Sequence, residues 1–222
     1  MFFVWLLIYG SITLLSRYLA QWTPWAIPAG LLIITSALVG WLLFKHKGKQ
    51  VGLQFFPIAQ WKRHLFFLPY LLPVGYNLLS SGLVFPSLPA ITTICLAVVL
   101  EEILFRGLLL QFLQRWGDLC AIVVSAVLFA AAHWLNTESS DLSQIIFALV
   151  AGFAFSGMTL TCKSLLPAMG IHLLINLTAG GTSMTYLWLF VLCIIVYLIC
   201  GIRSVYDLKN SAEKGCSYES IH

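Results

Sequence analysis

Apolar residues run through this chain in blocks of about twenty, the length that crosses a hydrocarbon layer as a helix, separated by short polar breaks. The blocks predict eight spanning helices, at 2–19, 25–44, 65–85, 88–113, 119–135, 142–160, 165–181 and 186–202. The breaks include Gln21-Trp22-Thr23-Pro24, the basic stretch 45–63, and the polar runs 136–141 and 161–164. Pro69 and Pro73 fall in the third block and Pro167 in the short seventh. Those two spans are therefore expected to be kinked or partly re-entrant, which is tolerated where protein covers the backbone. The first block begins apolar at Phe2, without a basic n-region or a small-x-small cleavage site, and reads as an uncleaved span. The expectation is one all-α domain over 1–222, a polytopic transmembrane helix bundle with no soluble domain and no internal repeat.

Composition agrees with the pattern. The 222 residues are 60% hydrophobic and 9% charged, with mean hydropathy +0.95, whereas a soluble domain carries about 25% charged residues. The few cations are sorted by side. Lys45, Lys47, Lys49, Lys62, Arg63, Arg115, Lys163, Arg203, Lys209 and Lys214 fall on the side that holds the loops after the even spans and the C-terminus. Arg17 alone falls opposite, and Arg106 lies inside the fourth span. By the positive-inside rule both termini are expected in the cytoplasm, and the protein in the plasma membrane if the cell is prokaryotic. The net charge of +4 is then a topology signal, and no nucleic-acid partner is expected.

Glu101, Glu102 and Arg106 interrupt the fourth span, AVVLEEILFRGLLL. Each charge costs roughly 2.5–3.5 kcal/mol at a span centre on insertion scales, so these three demand partners inside the membrane. Glu102 and Arg106, four apart, share a helix face and can pair. Glu101 lies about 100° further round a 3.6-residue helix and faces another wall. A carboxylate held in low dielectric beside a histidine can take a proton from water and return it to a leaving group. A salt-bridge cluster that only locks helices together would use the same residues.

The other spans offer the partners. His133 ends the run VLFAAAH, with Phe129 one turn before it and alanines that permit close helix approach. His172 and Asn176, in GIHLLIN, are four apart and face one way. At 1.5 Å per residue, Glu101 lies about 21 Å from Arg115 and His133 about 22 Å from Asp118, which puts both at one depth. His172 lies only about 14 Å from Lys163 on the same rise, so the seventh span must start deeper or tilt.

Glu101-Glu102-Ile103-Leu104-Phe105-Arg106 matches E-E-x-x-x-R, Phe129-Ala-Ala-Ala-His133 matches F-x-x-x-H, and His172-Leu-Leu-Ile-Asn176 matches H-x-x-x-N. In this order, on separate spans, the three motifs resemble the CAAX prenyl endopeptidases and bacteriocin-processing enzymes, also called the Abi family of intramembrane proteases, with the family core at 88–181. The resemblance implies an eight-helix intramembrane peptidase acting on a membrane-embedded or lipidated peptide or protein. It implies that Glu101 is the catalytic glutamate and that His133 helps it activate water. It further implies that His172 and Asn176 polarise the scissile carbonyl, while Glu102, Arg106 and Phe129 support the site. A glutamate, two histidines and an asparagine could also hold Zn²⁺. H-E-x-x-H is absent, however, and asparagine is a poor zinc ligand, so metal-free glutamate catalysis without a cofactor is the expectation. Carboxylate–histidine sets in membranes also serve proton relays, which leaves a non-enzymatic transporter, or an immunity or scaffold protein, as the rival reading.

Overall fold

The computed structural model describes residues 65–82, 86–136, 142–179 and 187–219, and every element among them is helical. The first two expected spans, with the basic stretch that follows them, lie outside the described residues. A 3-10 turn, Leu65–Leu71, leads into α1, Leu72–Ser81. α2 covers Leu88–Glu102, and a π-helical segment, Ile103–Leu109, continues it into α3, Leu110–Leu113. After a second 3-10 turn, Gln114–Trp116, come α4, Asp118–Asn136, and α5, Leu142–Cys162. α6, Leu166–Thr178, and α7, Leu187–Glu219, complete the described chain. The stretches Leu142–Cys162 and Leu187–Asn210 are long and apolar enough to cross a membrane.

The prolines shape these helices differently from the sequence reading. Pro73, Pro89 and Pro167 each sit in the first turn of a helix, where the missing N–H is an orphan anyway and the fixed φ suits helix entry. Pro167 thus starts α6 rather than kinking it. Among the described residues Pro69 alone interrupts an expected span, inside the 3-10 turn that precedes α1. Gly82, at φ 69°, closes α1 by donating its N–H to the carbonyl of Leu78 at 3.0 Å, a conformation that favours glycine.

The fourth span also departs from the straight helix expected over 88–113. Immediately after the two glutamates the backbone widens to i→i+5 bonding, as the Leu110 N–H donates to the Phe105 carbonyl. The Ser125 hydroxyl of α4 donates to the same carbonyl at 3.0 Å, which ties the widened turn to its neighbour.

α6 is about 20 Å long at 1.5 Å per residue, too short to span about 30 Å of hydrocarbon. It begins inside the bundle. Lys163 adopts φ 52° and stays exposed while Ser164 and Leu165, next in the chain, are only 2% and 0% exposed.

Small residues set the remaining helices close together. A Cβ built on Gly152 of α5 would lie 3.0 Å from the Ala126 backbone of α4, and one on Gly157 would lie 2.7 Å from Ser204 Cβ of α7. Packing of this kind suits helices in lipid, where close approach replaces the hydrophobic drive between them. One core forms around Tyr70, Phe155, Met158 and Tyr197, and a second around Phe105, Leu110, Ile122 and Phe129. The motif residues lie along the boundary between these two cores.

Candidate active site

Arg106 anchors the site from behind. It is 1% exposed, and its Nη1 donates to Glu102 Oε1 at 3.0 Å across one helical turn. Its guanidinium lies 3.9 Å from the centre of the Phe129 ring and 5.7 Å from that of Phe155. Arg106 Nε and Nη2 have no hydrogen-bond acceptor among the described residues. The two ring faces stand in for acceptors, since a desolvated cation over an aromatic face is stabilised by about 2 kcal/mol.

Glu102, 0% exposed, does more than neutralise this arginine. Its Oε1 also accepts from His172 Nδ1 at 2.8 Å, reaching from α2 to α6. A carboxylate that holds one ring nitrogen fixes the tautomer and the direction of the other. With the Nδ1 proton directed at Glu102, Nε2 of neutral His172 carries the lone pair. It accepts from Asn176 Nδ2 at 3.3 Å, so a relay runs from Arg106 through Glu102 and His172 to Asn176. One proton of the Asn176 amide remains for another acceptor.

Glu101 faces a different wall, as its place round the helix predicts. Its Oε2 lies 3.8 Å from His172 Nε2, beyond hydrogen-bond length. His133 is oriented by its own helix, because the Phe129 carbonyl only accepts and Nδ1 must therefore donate to it, at 3.0 Å. The His133 Nε2 lone pair is thereby left to the open side of the ring. The Phe129 ring packs against His133 at 4.4 Å and edge-on to His172 at 5.8 Å between centroids. Phe129 is the hub that holds both histidines and the arginine.

Glu101, Phe129, His133, His172 and Asn176 all line one cavity of about 400 Å³. Glu102 and Arg106 do not line it and stand in the wall behind His172. All seven residues singled out in the sequence thus come together, in two layers.

The structure adds one residue that sequence reading passed over. Asn77 of α1, buried beside the cavity, donates from Nδ2 to the Ile175 carbonyl at 3.0 Å and to Thr178 Oγ1 at 3.2 Å. Both bonds grip the last turns of α6 on either side of Asn176. The available signal was an amide in the middle of an apolar block, where polar side chains are costly.

No three His, Cys, Asp or Glu side chains among the described residues gather closely enough to hold a metal ion.

The order and geometry of the three motifs ask which known proteins share them. Residues 83–178 match the Rce1-like family model, that of the type II CAAX prenyl endopeptidases. The matched segment runs from just before α2 to the end of α6 and contains every residue of the relay together with Glu101, Phe129 and His133 of the cavity. Over those residues the chain is similar to the CAAX prenyl endopeptidases. No curated protein and no solved structure matches the chain.

Proposed function

We propose that the protein is an intramembrane endopeptidase that hydrolyses a peptide bond with water activated by Glu101. The observation that carries this reading is the two-layered site, in which Glu101, His133, His172 and Asn176 share one cavity while the Glu102–Arg106 pair stands behind it. A salt-bridge cluster built only to lock helices has no use for a second carboxylate turned into a cavity.

In the proposed reaction Glu101 takes a proton from water as the hydroxide attacks the scissile carbonyl, helped by the lone pair of His133 Nε2. Asn176 donates its free amide proton to the developing oxyanion, and His172 holds that amide in place. Collapse of the tetrahedral species breaks the C–N bond, and Glu101 passes its proton to the departing amine. No step runs through a metal ion. The substrate is a membrane-embedded or lipidated peptide, in keeping with the apolar walls that Phe147, Phe155 and Phe190 give the cavity.

Eight spans with both termini in the cytoplasm, in the plasma membrane of a prokaryotic cell, complete the proposal. Its support is the distribution of cations along the chain.

The test compares membrane peptides that accumulate unprocessed in a deletion strain with those left after complementation by the wild-type protein or by Glu101→Gln. Processing restored by the wild type alone supports the peptidase. Equal restoration by both proteins would overturn it in favour of a scaffold or transporter.

A further inference from the structure

The cavity does not lie midway along the bundle. Its walls come from the last turns of α4 at Phe129 and His133, and from the first turns of α5 at Ser143 and Gln144. The end of α6 at Asn176 and Ala179, with the start of α7 at Phe190 and Cys193, completes that side. These helix termini meet at one end of the molecule. Burial falls in one direction along the walls. Ala151, Phe155 and His172 are buried, whereas Gln144 and Ala179 are exposed. The mouth therefore opens toward the end at which α4 and α6 finish and α5 and α7 start.

Charge marks the opposite end. Arg115 precedes α4, Lys163 lies between α5 and α6, and Arg203 and Lys209 lie in the far half of α7. The sequence between α4 and α5, 137–141, reads TESSD, that between α6 and α7, 180–186, reads GGTSMTY, and neither carries lysine or arginine. Cations within short loops mark the cytoplasmic side of a membrane protein.

Together these facts point the site outward. We propose that the catalytic cavity opens to the non-cytoplasmic face, and that its substrate is a membrane-anchored peptide whose scissile segment lies at that outer surface. Water reaches Glu101 from the same side. Ser143 and Gln144 meet the polar backbone of the peptide at the rim, and Tyr76, Phe147 and Phe190 receive its apolar side chains below. The inference deepens the peptidase reading and rests on it for the word substrate. The direction of opening stands without it.

Accessibility labelling separates the two. Gln144→Cys, in a full-length chain whose six native cysteines are replaced by alanine, should react in intact cells with a charged, membrane-impermeant methanethiosulfonate. Lys163→Cys in the same background should react only after permeabilisation. A chain that keeps Cys193 alone, deeper in the cavity, should be modified from the outer side as well. The pattern should be unchanged by Glu101→Gln, so labelling reports the direction of opening whether or not a peptide is cut. Outer-side labelling in a protein that processes nothing would defeat the peptidase reading alone. Reaction of Gln144→Cys or of Cys193 only after permeabilisation would overturn the outward opening. If the cysteine-free chain fails to accumulate, an epitope inserted after Ser139 of the otherwise native chain gives the same decision. Antibody binding on intact cells is expected, and binding only in permeabilised cells would overturn the proposal.

Discussion

Glu102 and His172 lie 70 positions apart in the chain and meet at 2.8 Å, carboxylate oxygen to imidazole Nδ1. The contact makes one buried carboxylate both the counterion of Arg106 and the orienter of the histidine that faces the cavity. Stability and chemistry are therefore coupled at Glu102 and separable at Glu101.

Glu101→Gln should lower turnover by at least about 10²-fold, the low end of what a positioned acid–base group supplies. Its thermal midpoint should stay close to that of the wild type. Glu102→Gln should lose activity and stability together, since breaking a buried ion pair costs about 3–5 kcal/mol. Kinetics and thermal unfolding of the two variants in one detergent make the comparison. A Glu102→Gln protein of normal stability and normal turnover would break the link to both Arg106 and His172.

Phe129→Leu keeps most of the buried volume and removes the ring beneath Arg106. It should destabilise the protein by about 2 kcal/mol, the value of a desolvated cation over an aromatic face. Turnover should fall too, because both histidines pack on that ring. Phe155→Leu, whose ring centre is 5.7 Å from the guanidinium rather than 3.9 Å, should cost less of that cationic contact. A double-mutant comparison with Arg106→Met measures the contact in each case.

Asn77→Ala should reduce kcat more than KM, because it frees the end of α6 that carries Asn176. Combined with Asn176→Ala it should add little further kinetic loss, since residues that act as a unit are not additive. Losses that multiply in the double variant would mean that Asn77 serves only to hold α1 against α6.

Gly157→Ala and Gly201→Ala should destabilise by about 1–3 kcal/mol through overpacking, without altering the kinetics of the surviving protein. A methyl on Gly157 would press on Ser204, and one on Gly201 would run into the Phe153 ring. Thermal unfolding beside single-turnover rates distinguishes this from an effect on the site.

Activity of the purified protein should survive exhaustive chelation, and elemental analysis should find well under one equivalent of zinc. Activity that is lost on stripping and restored by zinc alone would replace the glutamate mechanism and leave the peptidase assignment standing.

Much of the site could be read from spacing. Glu102–Arg106 and His172–Asn176 are pairs at four residues, and helical periodicity alone puts each pair on one face. The offset of Glu101 from Glu102 followed from the same geometry. What escaped has no local signature. The Glu102–His172 bond joins residues 70 apart, and nothing within either helix announces it. The reach of Asn77 to Ile175 spans 98 positions, and an isolated amide in an apolar block does not name its partner. A proline in a short apolar run suggests a kinked or partly re-entrant span, whereas Pro167 sits in the first turn of α6. Hydropathy placed the start of this helix to within one residue, 165 against Leu166, and missed only that Ser164 and Leu165 before it are buried.

The π-helical segment Ile103–Leu109 has a consequence for how the helix that carries the two glutamates tolerates changes of length. An i→i+5 turn holds one residue more than an α-helical turn does. Deleting a residue from an ordinary helix swings everything beyond it by about 100°. Here the surplus residue is already taken up as slack. Removing the half-buried Leu108 would let the segment close into plain α winding, with Glu101 and Glu102 before it and Leu113 after it keeping their present directions. The loss would fall on Arg106 and on the Phe105 carbonyl that Ser125 grips. The helix thus carries a spare residue next to its most demanding pair of side chains, and its carboxylates are insulated from a one-residue change in the chain just behind them.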